Sequence, residues 1–250
     1  MTTGAGSNPL DAPEVAAFRA LREAVLGRIA RAAERAGRDP TQVKLVAVSK
    51  TVPAERLRAA VAAGLTLLGE NRVQEGEHKR ALVAGATWHL IGPLQSNKAR
   101  RAIDTYDMVQ SVDSLELALR LDRLVAEARA PGARLPVLLQ VNVDDDPAKA
   151  GFQPAELSAV LPPLLDLAAL RVDGLMTVGR LVDDPGAARP TFRRLRLVAD
   201  QLRAADGRLG PELSMGMSAD FEVAVEEGAT IVRVGRALFG ERLAIGAGGA

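Results

Sequence analysis

A single α/β (β/α)8 barrel of the TIM type is the fold this sequence predicts, on three observations. Eight short apolar runs of strand length recur along 250 residues, most are followed by a stretch with amphipathic helical spacing, and several runs, such as LVAV at 45–48 and VLLQV at 137–141, are apolar throughout. Strand followed by helix, repeated, is the pattern of parallel βαβ units. Continuous apolar runs suit strands covered on both faces. Eight such units in a chain of this length match a barrel, whereas a doubly wound sheet usually stops at about five to seven strands.

In chain order, a helix is expected first at Pro13 to Ala36, as an extra element covering the barrel's N-terminal side. The strand-like runs are KLVAV (44–48), TLLGE (66–70), TWHLI (87–91), DMVQS (107–111), PVLLQVN (136–142), RVDGLM (171–176), ELSM (212–215) and TIVRV (230–234). Helical spacing follows at Ala54 to Ala63, Val73 to Val83, Ser114 to Ala128, Arg189 to Ala205 and Ala219 to Glu227. Pro53 suits the first helical position, and Asp113 with Glu116 has the spacing of a capping box. Residues 1–12 and 244–250 are rich in small residues and are read as a disordered N-terminal and a flexible C-terminal tail around one domain at 13–243.

Composition narrows the function. Lys plus Arg number 32 against 31 for Asp plus Glu, so no overall field draws the chain to nucleic acid or to an anionic membrane. With no cysteine, disulfides, thiolate chemistry and sulfur-bound metals are excluded, and His78 and His89 alone are too few for a His-rich metal site. No basic leader with an apolar core and no run of membrane-spanning length is present, so a cytoplasmic location is expected. Asp144, Asp145 and Asp146 are read as a hydrated loop, not as cation ligands.

In a parallel barrel the chemistry sits just past the C-terminal ends of the strands. Lys50 follows the first strand. A lysine there is ordinarily only solvated, but GEN (69–71) and WHLIGPLQSNK (88–98) end the next two strands, and neither looks like core filling. The last two strands lead into LSMGMSAD (213–220) and VRVGRALFG (232–240), which place glycine and hydrogen-bonding groups just before helix starts, where a phosphate dianion is favoured. Ser218 could donate its hydroxyl to such a phosphate, or simply cap the next helix with Asp220 in its first turn. Gly235 would let backbone approach closely, although a glycine near a turn is weak testimony. A phosphate site opposite a lone lysine is the layout for binding a phosphorylated aldehyde, because a neutral amine attacks the carbonyl to form an imine.

The strings LVAVSKTVP, LGENRVQE, WHLIGPLQSNKAR, SVDSLELA, GLMTVG and LSMGMSADFEVAVEEGATIVRVGRALFG, in order from about Val43 to Gly240, resemble the YggS/PROSC family of pyridoxal-phosphate homeostasis proteins. That family is related in fold to the N-terminal barrel of alanine racemase. The resemblance implies pyridoxal 5'-phosphate as cofactor, held as a Schiff base on Lys50. It implies Ser218, Gly235 and Arg236 near the phosphate, Arg233 facing the pyridine nitrogen, and Asn71 and His89 lining the pocket. Arg236 stands where the family often has a small hydroxyl residue, so a contact there would have to come from the backbone.

An arginine at the ring nitrogen has a consequence of its own. Enzymes that use this cofactor as a strong electron sink pair the nitrogen with a carboxylate, and a guanidinium cannot accept its proton. Transamination and most carbanion chemistry are therefore not expected. Racemisation needs a second acid/base opposite the lysine. Alanine racemases take a tyrosine from a C-terminal β-domain that 250 residues leave no room for, and Tyr106, before the fourth strand, is expected at the far end of the barrel. His89 could substitute, but a packed or cofactor-lining role suits it better.

The leading expectation is thus a non-enzymatic carrier or buffer of pyridoxal phosphate, a monomer in transient contact with apo-enzymes. A low-activity amino-acid racemase, and a phosphate-gripping barrel enzyme without this cofactor, are the alternatives.

Overall fold

The computed structural model describes residues 13–179, 182 and 184–240. The expected tails at 1–12 and 244–250, and residues 241–243, lie outside the described residues. The chain runs α1 (Pro13–Arg35), β1 (Lys44–Val48), α2 (Ala54–Ala62), β2 (Leu67–Glu70), α3 (Val73–Leu82), β3 (Thr87–Leu90), α4 (Ala99–Thr105), β4 (Met108–Val112), α5 (Leu115–Ala128), β5 (Leu135–Gln140), α6 (Pro154–Leu165), β6 (Leu170–Met176), α7 (Arg189–Ala205), β7 (Glu212–Met217), α8 (Phe221–Glu226), β8 (Ile231–Val234) and α9 (Arg236–Phe239). The eight strands pair in sequence order, all parallel, and β1 closes on β8 from Lys44 opposite Ile231 to Ala47 opposite Val234. This is the predicted (β/α)8 barrel.

Why the shell forms can be read from the helices. In α7 the buried residues Phe192, Leu195, Ala199 and Leu202 recur at spacings of three and four, one stripe facing the sheet. α5 does the same with Leu117, Leu121 and Val125. These stripes join the outward-facing residues of the strands in one core that includes Trp88, Val109, Leu139 and Val232. Each fully buried side chain of this size contributes about 1.5–3 kcal/mol. A smaller, separate cluster of Val46, Met108, Leu138, Met176 and Ile231 fills the inside of the barrel.

Three expectations are corrected. α1 does not cover the N-terminal side of the barrel; it packs against α8, α2 and α9 in the helical ring. α8 and α9 are only 6 and 4 residues long, so the wall outside β8 is thin and α1 completes it. Phe18 meets Phe239 with ring centroids 5.6 Å apart, and Arg28 pairs with Glu222 at 2.9 Å. The cap of α5 is Ser114, whose hydroxyl oxygen accepts from the Leu117 amide at 3.2 Å; Asp113 is not the cap. Pro53 is the N-cap of α2, one position before the expected N1.

Candidate functional site

Lys50 is the second residue beyond β1, in a turn whose next residue, Thr51, has φ 65°. A β-branched residue in the left-handed region persists only where its surroundings enforce it. Gly235, just past β8, is packed against the end of β1: a Cβ on it would stand 3.3 Å from the Val48 carbonyl oxygen. Its amide donates to the Ser218 hydroxyl oxygen at 3.0 Å. The loops after β7 and β8 are therefore joined to each other and set against the strand end that carries Lys50.

The end of β7 is shaped by Gly216, at φ 90°, where a Cβ would meet the Ala224 Cβ at 2.5 Å and Phe221 Cα at 2.9 Å. Only glycine lets α8 sit this close to β7. Asp220, not Ser218, occupies the N-cap of α8, and its carboxylate accepts from the Met217 amide at 2.6 Å. Ser218 is therefore not the helix cap, and its hydroxyl oxygen instead accepts from the Gly235 amide. Burial pushes the Asp220 carboxyl up, while the Met217 amide and the Arg233 charge pull it down.

Arg233 projects from β8 into the barrel and is buried. It donates to Ser214 Oγ at 2.7 Å and to the Thr177 carbonyl at 2.8 Å. Ser214 in turn donates to Gln110 Oε1 at 2.6 Å, and Gln110 Nε2 lies 2.8 Å from His89 Nδ1. Because β4 and β7 are not neighbours in the barrel, the Ser214 to Gln110 bond crosses its interior. The direction of the chain makes Nδ1 of His89 an acceptor, so the ring proton sits on Nε2. Burial lowers the His89 pKa to about 4 and that of Arg233 to about 10, so at neutral pH the imidazole is uncharged and the guanidinium remains a cation.

Asn71 follows β2, half-buried, and Gly92 leaves no room for a Cβ beside its backbone. Arg236 opens α9 and is exposed. Of the residues singled out from sequence, the structure brings together Ser218 and Gly235 beside the Lys50 strand, and links Arg233 to His89 through two intermediates. His89 is held inside the barrel as a neutral acceptor, which speaks against the acid/base role weighed for it. Tyr106 differs from expectation in part: its ring rises outside the sheet, and its hydroxyl donates to the Arg72 carbonyl at 3.0 Å, past the end of β2. It is engaged there between α3 and α4, not at the barrel axis.

Sequence reasoning missed Gln110, Ser214 and Thr177, and it missed Lys79. Lys79 continues the buried stripe Val73, Gly76, Lys79 of α3, and that spacing was a signal available without coordinates. Among the described residues no group of three or more His, Cys, Asp or Glu side chains could hold a metal ion, and no helix is long and apolar enough to cross a membrane.

The donor set suits a phosphorylated pyridine aldehyde: an amine at a strand end, a serine hydroxyl and glycine backbone beside it, and a buried cation within the barrel. Comparison with known proteins agrees. The family described as alanine racemase, N-terminal domain, matches residues 22–243. A pyridoxal phosphate homeostasis protein of Pseudomonas aeruginosa is 46% identical over 222 residues, covering 87% of this chain and 93% of the relative. That of Escherichia coli K12 is 39% identical over 229 residues, covering 87% and 94%. PipY of Synechococcus elongatus, solved with PLP bound, is 44% identical with a TM-score of 0.75, covering 85% of this chain and all of that one (100%). An alanine racemase of Clostridium difficile, 17% identical, shares the fold with a TM-score of 0.69 over 88% of this chain and 60% of its own. The chain belongs to the alanine racemase N-terminal domain family and, within it, to the pyridoxal phosphate homeostasis proteins.

Proposed function

We propose that this protein holds pyridoxal 5'-phosphate as a Schiff base on Lys50 and serves its homeostasis, as a monomeric buffer or as a donor to apo-enzymes. The observation that carries the reading is the contact of Gly235, bonded to Ser218, with Val48 at the end of β1, which sets a serine hydroxyl and a glycine backbone against the strand that leads to Lys50. Ser218 and the backbone at Gly235 and Arg236 would take the phosphate, Asn71 would line the pocket, and His89 would act at one remove, through the chain that holds Arg233. The cofactor, when bound, supplies an aldehyde that condenses with an amine.

Arg233, charged and donating to Ser214 and the Thr177 carbonyl, cannot accept a proton and would offer the ring nitrogen a cation. Tyr106 is tied to Arg72 outside the sheet, and His89 is neutral and buried, so neither serves as a second acid/base. This supports a non-enzymatic role over a weak racemase.

The deciding experiment adds pyridoxal 5'-phosphate to the purified protein, records the imine absorption band, reduces with borohydride and maps the pyridoxyl mass. The label is expected on the Lys50 peptide and lost in Lys50→Ala. A label spread over surface lysines would sink the assignment. Exchange of an amino-acid α-hydrogen with solvent deuterium would restore the racemase alternative, and failure to load any apo-enzyme faster than free release would leave buffering alone.

A further inference from the structure

Behind Lys50, on the outer side of the sheet, lies a second lysine in a buried ionic cluster. Lys79 on α3 and Glu70 on β2 are both buried, with Nζ to Oε1 2.7 Å. The same ammonium donates to the Ser49 carbonyl at 2.7 Å and lies 3.7 Å from Glu75 Oε2, so all three of its donors face oxygen. The Ser49 hydroxyl donates to Glu70 Oε1 at 2.6 Å. Glu75 accepts from the Thr51 amide at 3.3 Å. Two side chains one helical turn apart thus hold the peptide groups on both sides of Lys50: Lys79 the carbonyl before it, Glu75 the amide after it.

A buried ion pair gains little stability over an apolar pair of the same volume, so its energetic value does not explain it. What it does is hold a backbone that would not hold itself, with Thr51 in the left-handed region. The direction of the Lys50 side chain follows from that backbone, and imine formation needs the amine within reach and in line with the carbonyl carbon. We propose that Lys79, fixed by Glu70 and assisted by Glu75, is a positioning residue for the Lys50 amine, setting imine formation without touching the cofactor. This rests on Lys50 being the Schiff-base lysine.

The test compares two ligands. Pyridoxal 5'-phosphate reports pocket binding together with imine formation; pyridoxamine 5'-phosphate has no aldehyde and reports pocket binding alone. The variant is the charge-free double replacement Glu70→Gln with Lys79→Met, which leaves no buried charge unpaired. Its affinity for pyridoxal 5'-phosphate should fall tenfold or more, while that for pyridoxamine 5'-phosphate stays within twofold of wild type. An unchanged pyridoxal 5'-phosphate affinity, or an equal loss for both ligands, overturns the proposal, the second by showing a merely structural role. If circular dichroism shows the double variant unfolded, Glu75→Ala decides in its place, with the same split expected at about threefold. Wild-type protein labelled elsewhere than Lys50 would bring down the Schiff-base assignment and this proposal together; labelling at Lys50 with indifferent variants would bring down this proposal alone.

Discussion

The inside of the barrel and the layer between strands and helices are built from different materials. The layer holds one continuous apolar core running from Val15 to Leu238, with the Lys79 and Glu70 pair among the polar groups buried beside it. The inside has a small apolar plug, and on the same strand faces, two residues nearer the mouth than Met108 and Ile231, come Gln110 and Arg233 in a hydrogen-bonded chain. If the interior chain serves the proposed binding, a substitution in the apolar layer should disturb stability more than binding, and one in the interior chain the reverse.

Trp88→Ala would test this most severely. The ring is buried in the outer layer, and its removal should cost about 3–5 kcal/mol in urea unfolding while the folded fraction still forms the imine. Loss of imine formation in the folded fraction would break the separation.

His89 sharpens the comparison from the inside. Its ordinary pKa of 6.5 falls to about 4 in the fold, so between those values the unfolded chain takes up a proton that the folded one does not. Stability should therefore be fully present above pH 6.5, decline as pH falls through that window and flatten below about 4, by roughly 3 kcal/mol at most. Urea midpoints measured across the window should show the decline, and His89→Gln should remove most of it.

Arg233→Met should cost less, about 1–3 kcal/mol, because it strands the Ser214 and Thr177 oxygens but also relieves a buried charge. Its main effect should be weaker binding of pyridoxal 5'-phosphate by isothermal titration. Leu197→Ala, on the exposed side of α7, should change the thermal midpoint by no more than about 0.5 kcal/mol warrants, and leave binding alone.

Much of this was legible in the chain. The run KLVAV is β1 to the residue, because its apolar LVAV segment is continuous and is buried at its centre. α7 is likewise Arg189–Ala205 as expected. Its neighbour α6 was harder to see, since Pro162 and Pro163 lie within it and proline ordinarily ends a helix; burial of Leu157, Leu161 and Leu164 overrides that preference. Of the candidate site, Lys50, Ser218 and Gly235 could be named because strand ends mark the mouth of a parallel barrel, whereas Arg233, inside β8, was named only through the family resemblance. Ser214 and Gln110 could not, since each lies within a strand and acquires its role from a partner 104 residues away.

By itself, then, the order of residues determined the strand count, the parallel barrel and which loops face one another, because hydrophobic period and chain connectivity are local properties. Tertiary structure alone decided that Ser218 bonds Gly235 while Asp220 caps the helix, that His89 is neutral and interior, and that Lys79 turns inward to grip the backbone before Lys50. Those choices depend on which polar groups meet once water is excluded, and a buried donor takes whichever acceptor the closed barrel brings within 3 Å or so, however distant in sequence.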